Sequence, residues 1–281
     1  MESPDKATVQ RSKCVIIDGS YFCFHRYHAL QRWWQLADKG PCEIPFECEE
    51  FVEAFKRSFV KKILEIRKKL DMKNAPIFVA KDCPRDKIWR NSRTPAYKGC
   101  RVSDSKIGPF FKLAYAQLFK SAGVAEVLYL DQLEADDCIA LSTKKILSHN
   151  QNTEIAIIAS DMDYLQIVSE NVSVYDLKYS NIATSKNTTG NPKSDLFCKI
   201  VIGDKSDNIP GVFKNCGKKT ALRLFNDTIA FEEKLKKENA IEKLEMNRLL
   251  IDFDYIPSEL CDEFNVKFSH MLNLDRQISQ S

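Results

Sequence analysis

The sequence has no Cys-x-x-Cys pair and only four histidines, which do not complete a zinc pattern. No uninterrupted apolar run approaches the length needed to span a bilayer. The opening Met1-Glu-Ser-Pro-Asp-Lys is polar and carries an acid where a signal peptide would need an apolar core. An intracellular protein without a membrane partner is the expectation. The ten cysteines are dispersed, and Cys138 and Cys198 lie inside apolar stretches, which reads as reduced core residues, not as a disulfide frame. Net charge is nearly absent too: 42 basic and 39 acidic residues leave +3, so their distribution carries more information than their sum. What remains is 281 residues of globular composition, 44% hydrophobic and 29% charged, enough for one large domain or a domain with an appendage.

Acids are placed with a pattern. Lys13-Cys-Val-Ile-Ile-Asp18-Gly19-Ser20 is an apolar run ending abruptly in Asp-Gly, the signature of a buried strand that delivers a carboxylate to a loop. Ala75 to Ala80 reads as a second strand and runs into Asp82; Val124 to Leu130 reads as a third and leads to Asp131 and Glu134-Ala-Asp-Asp137. Glu154 to Ala159 reads as a fourth, followed by Asp161 and Asp163. Between them, Tyr21 to Leu36 is aromatic-rich, and Phe51, Phe55, Phe59, Ile63 and Ile66 recur at helical spacing within Phe46 to Leu70. A further helix is expected over Phe110 to Ser121. Alternating strands and helices predict an α/β fold with a parallel sheet, and topology then brings the strand-end acids to one edge. Glu134-Ala-Asp-Asp137 opens a helical run from Cys138 to Leu147; its acids either cap and favour a helix start or, with the other strand ends, hold a cation. Val172 to Lys193 is polar and is expected to be an irregular hairpin or loop.

Bases are uneven as well. Lys81 to Arg101 holds Lys81, Arg85, Lys87, Arg90, Arg93, Lys98 and Arg101 against Asp82 and Asp86, with Trp89 and Tyr97 interleaved. Such a mixture suits a phosphate backbone and stacked bases, and a solvated basic loop is the plainer alternative. Later, Gly203-Asp204-Lys-Ser-Asp207 adds two acids, and Lys214, Gly217, Lys218, Lys219 and Thr220 form a glycine-centred turn opening a helix. Amides at a helix start beside lysines make a phosphate-binding corner without base-edge readers.

Taken in order, Val15-Ile-Ile-Asp-Gly-Ser20, Tyr97-Lys-Gly-Cys-Arg101, Glu134-Ala-Asp-Asp137, Ala159-Ser-Asp-Met-Asp163, Gly203-Asp-Lys-Ser-Asp-Asn-Ile-Pro-Gly211 and the glycine turn resemble the motifs of the 5′ nuclease family. That family comprises flap endonucleases, bacteriophage 5′-3′ exonucleases and the 5′ nuclease domain of bacterial DNA polymerase I. The resemblance spans residues 13 to 256, including a late Arg248-Leu-Leu-Ile-Asp252. It implies a PIN-like, mostly parallel twisted sheet flanked by helices, with a basic arch or clamp and a helix-three-turn-helix element. The implied division is a catalytic core over 13–193 with its arch at 83–108, a duplex-binding region over 194–257 and an extension over 258–281.

The resemblance also implies roles. Asp18, Asp82, Glu134 and Asp136 would hold one Mg²⁺ or Mn²⁺ ion, directly or through water, and Asp137, Asp161, Asp163, Asp204 and Asp207 would shape the site of a second. Lys98 would orient or stabilise the attacked phosphodiester, with Arg101 beside it and Tyr97 free to stack on a base. His25, Arg26, Arg85, Lys87, Arg90 and Arg93 would meet DNA. Lys214, Gly217, Lys218, Lys219 and Thr220 would grip the duplex, with K⁺ in their turn. The substrate would be branched, flapped or nicked DNA, with an RNA·DNA hybrid and a non-catalytic DNA-binding protein as alternatives. A monomer is expected, and no peptide for a sliding clamp is recognised near the C-terminus. Two departures stand out: His25 followed by Arg26 where relatives carry an arginine, and a short stretch from Arg101 to Phe110, which predicts a reduced, open clamp.

Overall fold

Five short apolar segments pair in parallel: β1 (Lys13–Asp18), β2 (Ile77–Ala80), β3 (Glu126–Leu128), β4 (Glu154–Ile158) and β5 (Val172–Tyr175), in the order β3-β2-β1-β4-β5. The structure is a computed structural model and describes residues 11–40, 42–101 and 104–270. β1 is central, in register with β2 from Val15 opposite Ile77 and with β4 from Lys13 opposite Glu154. Its unbroken apolar run follows from burial on both faces, as parallel sheets require. Val15 and Ile17 join a core with Phe22, Phe51, Phe55 and Phe59, whereas Cys14 and Ile16 join one with Cys138, Ile139 and Phe264.

The first of these cores lies under α1 (Gly19–Leu36), α2 (Glu49–Lys69) and the helical run of α3 (Gly108–Leu113), a π-helical segment (Ala114–Leu118) and α4 (Phe119–Ser121). α2 buries Phe51, Phe55, Phe59, Ile63 and Ile66, the stripe its spacing predicts. The second core lies under α5 (Ala135–His149) and α10 (Ser258–Lys267). A third is built by α6 (Pro192–Ile202), α7 (Lys218–Asn226), α8 (Thr228–Lys237) and α9 (Ile241–Ile251). Among the described residues no helix is long and apolar enough to cross a membrane.

Two expectations change. Val172 to Lys193 is not all irregular: Val172 and Val174 point inward and Ser173 and Tyr175 are partly exposed, so β5 is a half-buried edge strand whose four residues are too few to stand out in polar surroundings. The basic stretch does not stand off as an arch up to Tyr97. It folds into two 3-10 turns, Arg85–Lys87 and Trp89–Ser92, and inserts Cys83, Ile88 and Tyr97 into the third core. Val102 and Ser103, inside the stretch expected to form an open clamp, lie outside the described residues, as does 271–281 of the C-terminal extension.

The turn from β1 into α1 tolerates no side chain at Gly19. A Cβ there would collide with the Tyr115 hydroxyl and lie 2.6 Å from the Ala80 carbonyl oxygen, which is backbone and cannot swing away. Gly108, at the start of α3, has no neighbour within 4 Å of such a Cβ. Gly19→Ala should therefore destabilise the protein by about 1–3 kcal/mol in chemical denaturation, while Gly108→Ala is near neutral. Equal midpoints for the two variants would contradict this packing.

Candidate metal centre and nucleic-acid interface

The carboxyl ends of β1 and β2 and the start of α5 bring Asp18, Asp82 and the Glu134 group together. Asp18 caps α1, accepting from the Tyr21 N–H at 2.9 Å, and takes a second bond from the Tyr164 hydroxyl at 2.9 Å. Burial and the nearby Asp82 push its carboxyl up to about 6 despite those bonds. Asp82 accepts from the Ala135 N–H at 2.9 Å and from the Ser20 hydroxyl, so it ties the strand end to the start of α5. The acids that tie down the helix starts thus also face one another.

Glu134, Asp136 and Asp137 each offer an oxygen within 4.8 Å of the others. Their environments differ. Asp136 is pushed well above the ordinary carboxylate range by burial and by Glu134 and Asp137. Burial would also raise Glu134, but Lys98 and Arg90 outweigh it and hold Glu134 below its ordinary value. Asp137 is occupied inward: Arg90 grips it with bonds of 2.7 and 2.8 Å, and the Trp89 indole N–H and the Glu134 backbone N–H donate to it at 3.1 Å. Its expected place among the ligands of a second ion is therefore corrected. Asp137 neutralises a buried arginine.

Arg90 needs the matching correction. It is 1% exposed, donates to Glu134 at 2.9 Å and to the Leu250 carbonyl of α9 at 2.8 Å, and lies 4.5 Å from the Trp89 ring centroid. A guanidinium so enclosed is no contact for a DNA backbone. Tyr97 is likewise covered, at 4% exposure, and cannot stack on a base in this conformation. Its hydroxyl reaches Glu134 at 2.9 Å and Asp207 at 3.4 Å.

Lys98 sits in the left-handed region, φ 53°, held by its N–H on the Asp207 carbonyl at 2.9 Å. Its ammonium pairs with Glu134 and lies 3.7 Å from Asp207, which also pairs with Arg101. The Asp207 carboxylate therefore turns toward Glu134, while its N–H and the Ser206 hydroxyl link it back to Asp204. A separate group gathers Asp163 and Asp204 around Lys199, at 2.6 and 2.5 Å. Burial and Asp161 push Asp163 up to about 6; burial opposes but Lys199 and Ser206 prevail at Asp204, which falls to about 2. Asp161 is exposed and close enough to raise both Asp18 and Asp163. Lys199 escaped the sequence reading. Its signal was there: it stands on the last turn of α6, five residues before Asp204.

The remaining basic residues stay at the surface. Arg85 bonds the Arg101 carbonyl, Lys87 lies 3.4 Å from Asp131, and Arg93 is exposed. Gly217 caps α7; Lys214, Lys218 and Lys219 are exposed around it and Thr220 is half-buried, while Lys218 bonds the Asn187 carbonyl. His25 and Arg26 are half-buried on α1; burial, Arg26 and Lys62 lower His25.

Residues 13–193 match the model of the 5′-3′ exonuclease, N-terminal resolvase-like domain. The chain belongs to this 5′-3′ exonuclease family. It is similar to a 5′-3′ exonuclease of Buchnera aphidicola subsp. Acyrthosiphon pisum, 29% identical over 227 residues that cover 78% of this chain and 71% of the relative. It is also similar to the thermostable DNA polymerase I of Thermus thermophilus, 26% identical over 263 residues, 89% of this chain but only 29% of that protein. Among solved structures, the bacteriophage T5 5′-exonuclease with zinc ions superposes at TM-score 0.66 with 20% identity, covering 92% of this chain and 99% of that one. The T5 flap endonuclease in complex with DNA and metal ions superposes at 0.65 with 18% identity, covering 96% and 100%. At such identities these two define the fold, a PIN-like α/β architecture.

Because Arg90 compensates two buried carboxylates, Arg90→Met should cost about 3–5 kcal/mol of stability in urea denaturation. Adding Asp137→Leu should recover much of that loss. A single variant as stable as the parent would contradict the pairing.

Proposed function

We propose that the chain is a divalent-metal-dependent 5′ nuclease that hydrolyses phosphodiester bonds of DNA near junctions of single and double strand. The observation that carries this reading is a carboxylate array fed by strand ends and helix starts, in which Asp18, Asp136 and Asp163 are all raised by burial and by neighbouring carboxylates. Such groups call for a cation, and an all-oxygen donor set fits Mg²⁺ or Mn²⁺ better than zinc. Asp18, Asp82, Glu134 and Asp136 would hold one ion and Asp163 with Asp204 and Asp161 a second. Bound there, the ions would activate water and stabilise the leaving oxygen.

The chain's own residues do the rest. Lys98 and Arg101 present cations at the rim of the array, next to Glu134 and Asp207, where a phosphodiester would need its charge met. Lys199 keeps Asp204 ionised. Lys214, Lys218 and Lys219, with the Gly217 turn and Thr220, would hold the duplex backbone without reading sequence, and the same turn is the proposed K⁺ position. Arg85, Lys87 and Arg93 would extend that surface from the other side.

Purified protein given a labelled 5′-flap duplex should cleave it with Mg²⁺ and not with EDTA. Asp136→Asn with Asp163→Asn should reduce turnover by at least about a hundredfold while duplex binding persists. Binding without cleavage in either metal would favour a non-catalytic DNA-binding protein, and cleavage confined to RNA·DNA hybrids would favour a primer-removing ribonuclease.

A second expectation follows from the raised carboxyls. Asp18 and Asp163 stand near 6, so below that pH each carries a proton that a metal ion must displace. Mn²⁺ affinity should accordingly fall as pH drops through 6, by about tenfold per pH unit for each group that must ionise, with matching proton release in calorimetry. A flat affinity from pH 7 to pH 5 would exclude these acids as ligands.

A further inference from the structure

Next to Asp82 a cavity of about 570 Å³ opens between the start of α1, the end of β2 and the helical run after the basic stretch. Neither the glycine turn nor Arg101 contributes to it. Its walls are Ser20, Lys81, Asp82, Phe111, Tyr115 and the flanking Lys112 and Ala116. We propose that this cavity is a binding pocket for one unpaired nucleotide of the substrate strand, with the base against Phe111 and the phosphate between Lys81 and Lys112; the proposal rests on the nuclease reading above.

Four observations carry it. The volume falls in the range of small-ligand sites, about 300–1,000 Å³. The wall is shaped by the π-helical segment Ala114–Leu118, and such insertions in a helix are frequent at functional sites. Here the insertion aims the Tyr115 hydroxyl at the Ala80 carbonyl, 3.4 Å away, over the bare Cα of Gly19, and leaves Ala116 exposed at the mouth. Phe111 packs edge-on against Phe24, with ring centroids 4.9 Å apart, and Phe24 is 43% exposed, so an aromatic surface continues from the pocket to solvent.

Charge completes the argument. Lys98, Arg101, Lys199 and Arg90, which face the acids, all pair with carboxylates. Lys81 and Lys112 make no ion pair among the described residues; the Lys81 ammonium lies 5.1 Å from the centroids of both Tyr115 and Tyr129. Aromatic faces beside unpaired cations match a ligand that is both planar and anionic, and a nucleotide is that ligand. Asp82, held by Ser20 and by the Ala135 N–H, forms the edge shared with the acid array, so a nucleotide seated here would adjoin the phosphodiester to be cut.

The test is a thermodynamic cycle between base and side chain. Affinity for 5′-flap duplexes is measured by fluorescence anisotropy in EDTA, with an abasic residue at each of the first three unpaired positions in turn. At one position the abasic residue should weaken binding by about tenfold in the parent, since a stacked base contributes on that scale. Phe111→Ala should weaken binding of the intact flap comparably and abolish the abasic effect. Ala116→Trp, which fills the pocket from an exposed helix position and removes nothing from the core, should do the same. An abasic penalty that is unchanged in both variants, or absent in the parent, overturns the pocket. So does free dAMP that binds competitively while abasic flaps bind normally, which would put a free nucleotide there. Mg²⁺-dependent cleavage of the intact flap is followed in parallel: cleavage without coupling overturns the pocket alone, and coupling without cleavage overturns the nuclease reading alone.

Discussion

Three carboxylates at the cap and first turn of one helix need a cation inside the protein, and Arg90 is that cation. Its guanidinium meets Asp137 with two bonds and Glu134 with a third, while its Nε–H is spent on the Leu250 carbonyl. Losing either side of such a buried pair leaves an uncompensated charge, so the geometry is strongly specified. Glu134 is thereby turned toward Lys98 and Tyr97, and Asp136 is left as the member of the trio that has no arginine.

The same constraint repeats through the site. Asp207 takes Arg101 and the neighbourhood of Lys98, and Asp163 and Asp204 share Lys199. Three acid groups are therefore neutralised by cations from other elements, and these contacts join the start of α5, the basic segment and the C-terminal helices. Where burial outweighs compensation, at Asp18, Asp136 and Asp163, the carboxyls rise, and those are the positions with most to gain from a metal ion.

Much of this was legible in the sequence. Strands that end in acids announce both the parallel sheet and the convergence of Asp18, Asp82 and the Glu134 group, because topology alone sends them to one edge. The α2 stripe was equally plain. Pairing partners were not. Charge counting treats Arg90 like Arg93, yet one is enclosed and the other exposed, and the difference lies in Ile88 and Trp89 drawing the first of them inward. Asp137 looked like a ligand because its neighbours did, and only three dimensions show both of its oxygens taken. Asp204 and Asp207, three residues apart, take different cations, Lys199 for the one and Arg101 with Lys98 for the other, which spacing alone does not announce. β5 was missed since four residues in a polar region carry too little periodicity.

The bond from Arg90 to the Leu250 carbonyl bears on what can be cut away. The family's domain ends at residue 193, but the arginine that neutralises its acids is anchored on α9, and Gln166 of the sheet domain likewise donates to Ile251 at 3.1 Å. Asn247 of α9 in turn clasps the carbonyls of Ile200 and Pro210 at 2.8 Å, fixing the strip that presents Asp204 and Asp207. A fragment ending at 193 would keep the strands and most of the acids while losing both Lys199 and the far wall around Arg90. The recognisable domain is thus not a self-contained packing unit: Arg90 is anchored on α9, and Leu260 and Phe264 of α10 close the core beneath α5.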